Sequence, residues 1–163
     1  MASQAKRVHD LLQERGQYVA TAESLTGGKL AVLLTAAPGA SDTFLGGVVS
    51  YATEVKQNVL GVSAEVVEEH GVVSAECARE MARGIRALMG STYGVSTTGV
   101  AGPAEQEGKE PGTVYVGLSG PGGDSTVALD LTGDRTEITD ATCEQALSAL
   151  ADMILDEEET GLG

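Results

Sequence analysis

Apolar side chains recur at intervals of three and four residues in several stretches of the chain, which is the pattern of a helix with one buried face. Near the N-terminus, Val8, Leu11 and Leu12 share such a face, and Gly16 follows the last turn as a stop. The same pattern, often bounded by a serine or threonine cap or by a glycine, predicts helices over residues 4–15, 29–37, 53–60, 63–70, 75–89 and 135–156.

Shorter apolar runs separate these helices and predict strands over residues 17–22, 44–51, 93–97, 113–119 and 125–131. The turn sequence GPGGD joins the last two strands into an antiparallel hairpin, whereas the earlier alternation of helices and strands favours parallel pairing. We therefore predict an α/β fold, a single layered domain over residues 1–163 with a mixed sheet flanked by helices. The acidic tail from about residue 157 is expected to be frayed and solvated.

Charge and composition narrow the classes of partner. The 163 residues include 24 acidic and 10 basic ones, which gives a formal net charge of −14, and only 3% are aromatic, with no tryptophan. An acidic surface repels the phosphates of nucleic acids and anionic lipids, and few rings are available to stack on bases. We expect no nucleic-acid partner and no membrane partner.

Two lone cysteines, Cys77 and Cys143, fall in predicted helices, far apart and without the spacing of metal ligands. They are expected to be small buried side chains, so the sequence predicts neither a metal site nor a disulfide framework. Residues 1–16 contain no apolar run long enough for a signal peptide or a membrane span. A cytoplasmic location is therefore expected.

The stretch TAESLTGG, residues 21–28, carries the first candidate chemistry. It places Ser24 between a predicted strand and a predicted helix, where Gly27 and Gly28 leave backbone N–H groups uncovered at the positive end of the helix. Such an end can bind a phosphate, or it can stabilise an oxyanion beside a nucleophilic serine. Equally, Ser24 or Thr26 could simply cap the helix. The stretch matches neither the G-x-S-x-G elbow nor the phosphate-loop pattern, so the residues alone leave all three interpretations open.

A nucleophilic serine needs a base. The two histidines are His9, on the first predicted helix, and His70, at a helix end, and neither position indicates a catalytic role. Lys56 lies on the first turns of the helix after the second predicted strand. It could reach the same sheet edge as Ser24 and act as a base if burial lowers its pKa. The alternative is a surface lysine that pairs with Glu54.

Six segments, taken in order, resemble the CinA C-terminal domain family, which is also the family of the nicotinamide-nucleotide amidohydrolase PncC: TAESLTGG, SYATEVKQNVLGV, VSAECAREMARG, TTGVAGP, PGTVYVGL and LTGDR. The resemblance covers residues 5–155 and is to the stand-alone form of the domain. It implies an α/β fold and an amidase of pyridine nucleotide recycling. This enzyme would hydrolyse the carboxamide of nicotinamide mononucleotide to nicotinic acid mononucleotide and ammonia, with a serine–lysine pair and without a metal or another cofactor.

By motif position, the resemblance makes Ser24 the nucleophile, Lys56 its base and Tyr51 the source of a supporting hydroxyl. Substrate binding is expected at Thr26, Gly27, Gly28, Thr98, Gly99 and Arg135. The first three would offer N–H groups to the oxyanion, and Thr98 would hydrogen-bond the ligand or the nucleophile.

The substrate phosphate needs a cationic partner in this acidic protein. A guanidinium at Arg135 could meet a phosphate in a bidentate manner, although pairing with Asp134 or Glu137 at the start of the last helix is an equal alternative. The expected partners are a small-molecule pyridine mononucleotide and, because the helices are rich in alanine and valine, further copies of the chain in a homo-oligomer.

Three departures from the family pattern concern the pocket. Leu25 stands where the family often has cysteine, Thr53 stands in place of an amide, and the loop AEQEGKEPGTV, residues 104–114, is shortened and more acidic. A second interpretation of the same pocket is a non-catalytic nucleotide-binding or regulatory module associated with competence or DNA damage. Only the amidase needs an uncharged Lys56 that is shielded from water.

Overall fold

A five-stranded mixed sheet organises the fold, and the computed structural model describes it within residues 3–161. The strands are β1 Val19–Glu23, β2 Phe44–Val49, β3 Tyr93–Gly99, β4 Thr113–Gly120 and β5 Gly123–Asp130, in the spatial order β2-β1-β3-β4-β5. β1 lies between β2 and β3 and is parallel to both, while the β3–β4 and β4–β5 pairs are antiparallel. The predicted α/β class, mixed sheet and late hairpin are confirmed.

Six helices flank the sheet: α1 Gln4–Arg15, α2 Lys29–Thr35, α3 Thr53–Asn58, α4 Ala64–His70, α5 Ala75–Met89 and α6 Arg135–Glu159. α1 and α5 have the predicted bounds because local signals fix both of their ends. A serine hydroxyl, Ser3 or Ser74, accepts a hydrogen bond from the first turn of each. A glycine in the left-handed conformation, Gly16 or Gly90, closes the last turn.

The helices form two layers with the sheet between them. One core lies against α1, α2 and α6 and includes Val8, Leu12, Leu30, Val95, Cys143, Leu147 and Leu150. The other lies against α5 and includes Ala20, Ala22, Leu60, Val73, Cys77, Met81 and Ile85. Both cysteines are buried free thiols, as expected. A small third cluster, Leu25, Ala101, Val114 and Ile138, lies where the chain leaves β1 and β3.

Several element boundaries near the carboxyl edge of the sheet differ from the prediction: β1 ends at Glu23, one residue later, and β2 ends at Val49, two residues earlier. Thr53 is the first residue of α3 and not its cap, because Ala52 takes the cap position without a side-chain bond, and the helix ends at Asn58. β3 extends to Gly99, two residues further than predicted, because it continues to pair with β4 as far as Val114.

The C-terminal helix is longer than the sequence suggests. α6 continues to Glu159, and Glu157 is buried with its Oε1 accepting the Gly122 N–H at 3.0 Å. The prediction of a frayed tail from residue 157 is therefore wrong for the end of α6. Residues 162 and 163 lie outside the described part of the chain. Among residues 3–161, neither α6 nor any other helix is both long and apolar enough to cross a membrane.

Gly84 lies where α5 approaches the backbone of Leu60, and an ideal Cβ on Gly84 would be 2.8 Å from the Leu60 carbonyl carbon. Glycine to alanine in an open helix interior stabilises by about 1 kcal/mol. Here we expect Gly84→Ala to lower the free energy of unfolding by about 1–3 kcal/mol, because the added methyl overpacks the contact. Urea unfolding measures the change. Ala87→Gly, at an exposed position of the same helix, controls for helix propensity, and a stabilised Gly84→Ala protein would contradict the close approach.

Candidate active site

The carboxyl ends of the three parallel strands meet at one edge of the sheet, where ligands of α/β proteins commonly bind. Main-chain hydrogen bonds join the segments that leave these strands. The Ser24 N–H donates to the Thr97 carbonyl at 3.0 Å, and the Ser50 N–H donates to the Glu23 carbonyl at 2.7 Å. The predicted nucleophile and the segment that leads to the predicted base therefore share one hydrogen-bonded frame.

Lys56 extends from α3 to this frame. Its Nζ lies 2.9 Å from Ser24 Oγ, 2.7 Å from the Ser50 carbonyl oxygen and 3.1 Å from the Tyr51 carbonyl oxygen. Lys56 is 1% exposed and Ser24 is 8% exposed. The structure thus brings Lys56 to Ser24, and it does not show the alternative of a surface lysine paired with Glu54.

Burial favours the neutral form of this lysine. Removal from water lowers the pKa of Lys56, and two acidic neighbours, Cys77 and Glu107, act in the opposite direction. Burial also raises the pKa of the Cys77 thiol to about 12, so this group is uncharged near neutral pH. Of the two, Glu107 is then the anion that opposes the shift at Lys56.

The three neighbours of the Lys56 amine are compatible with either of its charge states. A neutral amine has two N–H donors and one lone pair. The carbonyls of Ser50 and Tyr51 can only accept, so they take the two N–H groups. An ammonium would donate to all three oxygens, whereas the neutral amine leaves its lone pair to accept from the Ser24 hydroxyl. The neutral arrangement is the one that a lysine acting as a general base requires.

Glu23, which is 1% exposed, holds the turn that carries Ser24. Its Oε1 accepts from the Thr26 hydroxyl at 2.6 Å and from the Leu30 N–H at 2.8 Å. Its Oε2 accepts from the Ala31 N–H at 3.0 Å. These backbone donors belong to the first turn of α2, where the helix dipole favours a negative charge. The chain's own carboxylate therefore occupies this helix end, which argues against the phosphate-binding interpretation.

The backbone N–H groups near Ser24 differ in availability. The Gly27 N–H donates to the Ser24 carbonyl at 3.1 Å, so the expected role of Gly27 as an oxyanion donor does not fit the structure. For the N–H groups of Leu25, Thr26 and Gly28, the structure gives no acceptor among residues 3–161. The sequence carries no direct signal for Leu25, because a backbone donor has no side-chain signature. Its position directly after the serine is the one indication available.

A pocket of about 340 Å³ opens over the pair and is lined by Ser24, Leu25, Tyr51, residues 99–106 and Arg135. Arg135 is the exposed first residue of α6. The alternative ion pairs of Arg135 do not form, because Asp134 and Glu137 satisfy each other in a capping box. The Asp134 carboxylate accepts the Glu137 N–H at 2.9 Å, and the Glu137 carboxylate accepts the Asp134 N–H at 3.1 Å.

Two further predicted site residues behave differently from expectation. The Tyr51 side chain is 62% exposed at the pocket, and it is the carbonyl of this residue, not its hydroxyl, that contacts Lys56. Thr98 is buried and its hydroxyl donates to the Val72 carbonyl at 2.6 Å, so a hydrogen bond from Thr98 to ligand or nucleophile is wrong. Thr97, on the other face of the strand, lies beside the nucleophile turn, with its Oγ1 2.7 Å from Thr26 Oγ1.

Comparison with known proteins decides the family. The family model of the CinA C-terminal domain matches residues 1–154. This chain belongs to the CinA C-terminal domain family. A CinA-like protein of Frankia casuarinae is 49% identical over 144 residues, which are 88% of this chain and 33% of the relative. One of Synechocystis sp. is 48% identical over 132 residues, 80% of this chain and 32% of the relative. The chain thus spans about a third of the length of these relatives.

Solved structures of CinA proteins share the whole fold. A CinA superfamily protein from Klebsiella pneumoniae is 35% identical with a TM-score of 0.91, covering 94% of this chain and 96% of that one. The competence/damage inducible protein CihA from Agrobacterium tumefaciens is 33% identical with a TM-score of 0.88, covering 91% and 92%. The names of these proteins state no reaction.

The departures of this CinA domain from the family pattern lie around the pocket and not at the Ser24–Lys56 contact. Leu25 packs in the apolar cluster with Ala101 and Ile138, which places a hydrophobic side chain in the pocket wall. Residues 104–106 of the acidic loop also line this pocket. Within the described residues, no group of three or more His, Cys, Asp or Glu side chains is positioned to hold a metal ion.

The lowered pKa of Lys56 predicts a pH-dependent cost of folding. Between the folded pKa and the ordinary value of 10.5, the unfolded chain binds a proton that the folded chain does not, so stability rises with pH. Lys56→Met keeps the length of the side chain and removes this titration. Between pH 7 and 10, urea unfolding should therefore show the free energy of unfolding of the wild type rising relative to that of Lys56→Met. The expected rise is about 1.4 kcal/mol for each unit by which the Lys56 pKa is lowered. Lys6→Met, at an exposed lysine, is the matched control, and equal pH slopes for the two variants would contradict a lowered pKa.

Proposed function

We propose that this domain is an amidase that hydrolyses the carboxamide of nicotinamide mononucleotide to nicotinic acid mononucleotide and ammonia. The observation that carries the proposal is the buried Lys56 amine, 2.9 Å from Ser24 Oγ and oriented by two backbone carbonyls. Burying an amine without a counter-ion costs stability, so a purely structural role gives no reason for it. Groups with perturbed pKa values in a cleft are typical of catalytic sites.

In the first half of the reaction, Lys56 accepts the hydroxyl proton of Ser24 as Oγ bonds to the carboxamide carbon. The carbonyl oxygen becomes an oxyanion, for which the N–H groups of Leu25, Thr26 and Gly28 are the available donors. When the tetrahedral species collapses, the C–N bond breaks and the Lys56 ammonium gives its proton to the leaving nitrogen. Ammonia departs, and the nicotinoyl group remains as an ester on Ser24.

In the second half, water takes the place of ammonia. Lys56 accepts a proton from the water as its oxygen attacks the ester carbon. Collapse breaks the bond to Oγ, Ser24 regains the proton from Lys56, and the carboxylic acid product leaves and releases its own proton to solvent. The two carbonyls that hold Nζ matter in both halves, because they keep the amine in place while its extra proton comes and goes.

The substrate class follows from the rest of the pocket. Its volume of about 340 Å³ is in the range of small-molecule sites, and Arg135 places one cationic group in its wall. A guanidinium binds phosphate by paired charge-assisted hydrogen bonds. An amide that carries a phosphate is thus a better match than an unphosphorylated one, and the exposed side chain of Tyr51 is placed to contact it.

Removal of either member of the pair should abolish turnover. We expect Ser24→Ala and Lys56→Met each to reduce ammonia release from nicotinamide mononucleotide by at least about 10³-fold, because each step needs both nucleophile and base. The controls are Ser125→Ala, at an exposed position of β5, and Lys6→Met, which should keep the wild-type rate. Near-normal turnover in either site variant would remove that residue from the mechanism. Mononucleotide binding without turnover in the wild type would favour the non-catalytic module.

The assignment of Arg135 predicts a defect that depends on the phosphate. Arg135→Ala should raise the KM for nicotinamide mononucleotide by about 10- to 100-fold, the loss expected for hydrogen bonds to a charged group. The KM for the matching riboside, which lacks the phosphate, should stay unchanged. Arg79→Ala, at an exposed arginine of α5, controls for the change in net charge. An equal KM defect with both substrates would contradict a phosphate contact.

A further inference from the structure

The acidic loop beside the pocket contains a strained turn. The N–H of Gln106 donates to the Lys109 carbonyl at 3.1 Å, and the N–H of Lys109 donates to the Gln106 carbonyl at 2.9 Å. The two residues between them, Glu107 and Gly108, have φ angles of 54° and 74°, as in a type I′ turn. Glycine adopts this conformation freely, but glutamate does so only at a cost. Some contact of the Glu107 side chain must therefore offset that cost.

The Glu107 carboxylate binds the backbone ahead of α5. It accepts the Val72 N–H at 3.1 Å and the Val73 N–H at 2.9 Å. An ideal Cβ on Gly71 would be 2.6 Å from Glu107 Oε1, so the absence of a side chain at Gly71 makes room for the carboxylate. Successive N–H groups of this kind form an anion-binding nest. Lys109 adds a second attachment, because its Nζ donates to the Val73 carbonyl at 2.7 Å.

This attachment joins the pocket to the helix layer beneath it. Residues 101–106, which lead into the turn, line the same pocket as Ser24 and Arg135 and are called the pocket wall below. Residues 71–73 lead into Ser74, the cap of α5, whose hydroxyl donates to the Gly71 carbonyl at 2.8 Å. Without the Glu107 contact, the wall would depend on the single Lys109 bond to Val73 and on the main-chain bonds of its own loop.

We propose that Glu107 is a positioning residue of the active site, whose carboxylate fastens the pocket wall of residues 101–106 to the backbone N–H groups of Val72 and Val73. The role in catalysis rests on the proposed amidase function, whereas the attachment itself does not. The same carboxylate is the anion that raises the pKa of Lys56 against the effect of burial. Because the Glu107 side chain is 31% exposed, solvent weakens that influence, and positioning is the principal effect.

Glu107→Asn separates the attachment from the turn. Asn-Gly is the favoured pair of a type I′ turn, so the turn is retained, while the shorter, uncharged side chain cannot reach both N–H groups. Glu107→Gln, which keeps the length and one acceptor, should be intermediate. Glu110→Gln is the matched control, because it removes one negative charge from an exposed position of the same loop.

We expect three changes in Glu107→Asn that are absent in Glu110→Gln. Hydrogen exchange should accelerate by about tenfold or more at Val72 and Val73 and in residues 101–106. The kcat/KM for nicotinamide mononucleotide should fall by about tenfold, mainly through KM, as for a displaced binding wall. The acid limb of its pH profile should move to lower pH, because loss of an anion lets the pKa of Lys56 fall further.

The outcomes separate the two proposals. Equal exchange in Glu107→Asn and Glu110→Gln would overturn the attachment. Faster exchange with an unchanged KM would overturn the positioning role, whether or not the acid limb moves. If the wild-type protein releases no ammonia, the amidase proposal fails, and the exchange of residues 101–106 still decides whether Glu107 holds the wall.

Discussion

An amine without access to water must find its hydrogen-bond partners inside the fold, and the site is built on this constraint at Lys56. The ends of β1 and β2 supply a hydroxyl and two carbonyls within 3.1 Å of Nζ. A buried ammonium would need a counter-ion to offset its desolvation, whereas a neutral amine is satisfied by these three groups. The packing that hides Lys56 therefore also lowers its pKa, which favours the charge state that the proposed mechanism needs.

Glu23, whose carboxylate directly precedes Ser24 in the sequence, could have prevented this arrangement. A carboxylate beside Lys56 would hold the lysine in its charged form. Instead Glu23 directs both oxygens to the first turn of α2, while its own carbonyl accepts from the N–H of Ser50 at 2.7 Å and from the Ser50 hydroxyl at 3.2 Å. Its side chain thus fixes the nucleophile turn, and its main chain fixes the strand end that orients the base.

Sequence patterns predict what is local and fail where a partner is remote. Caps and stop glycines define α1 and α5. The placement of Ser24 and Lys56 after two strands makes them candidates, and the resemblance to the CinA C-terminal domain family selects them. Thr98 is misplaced because β3 is longer than its apolar run, and in a strand a shift of one residue reverses the face. The roles of Glu23 and Glu107 escape prediction because their partners lie 7 and 35 residues away. For Glu23, the one indication in the sequence is that it is a charged residue in the otherwise uncharged run VATAES.

The acidity of the chain does not oppose an anionic ligand at this pocket. The net charge of −14 acts on a ligand mainly from a distance, and salt at physiological ionic strength screens charges that lie more than about 8 Å away. A guanidinium in direct contact with phosphate is weakened much less by that screening. Asp134 and Glu137, the acids next to Arg135 on α6, are engaged with each other in the capping box, so they do not compete for its donors. Arg135 is therefore the cationic group that the proposed phosphate-bearing substrate would use, in a pocket that Glu105 also lines.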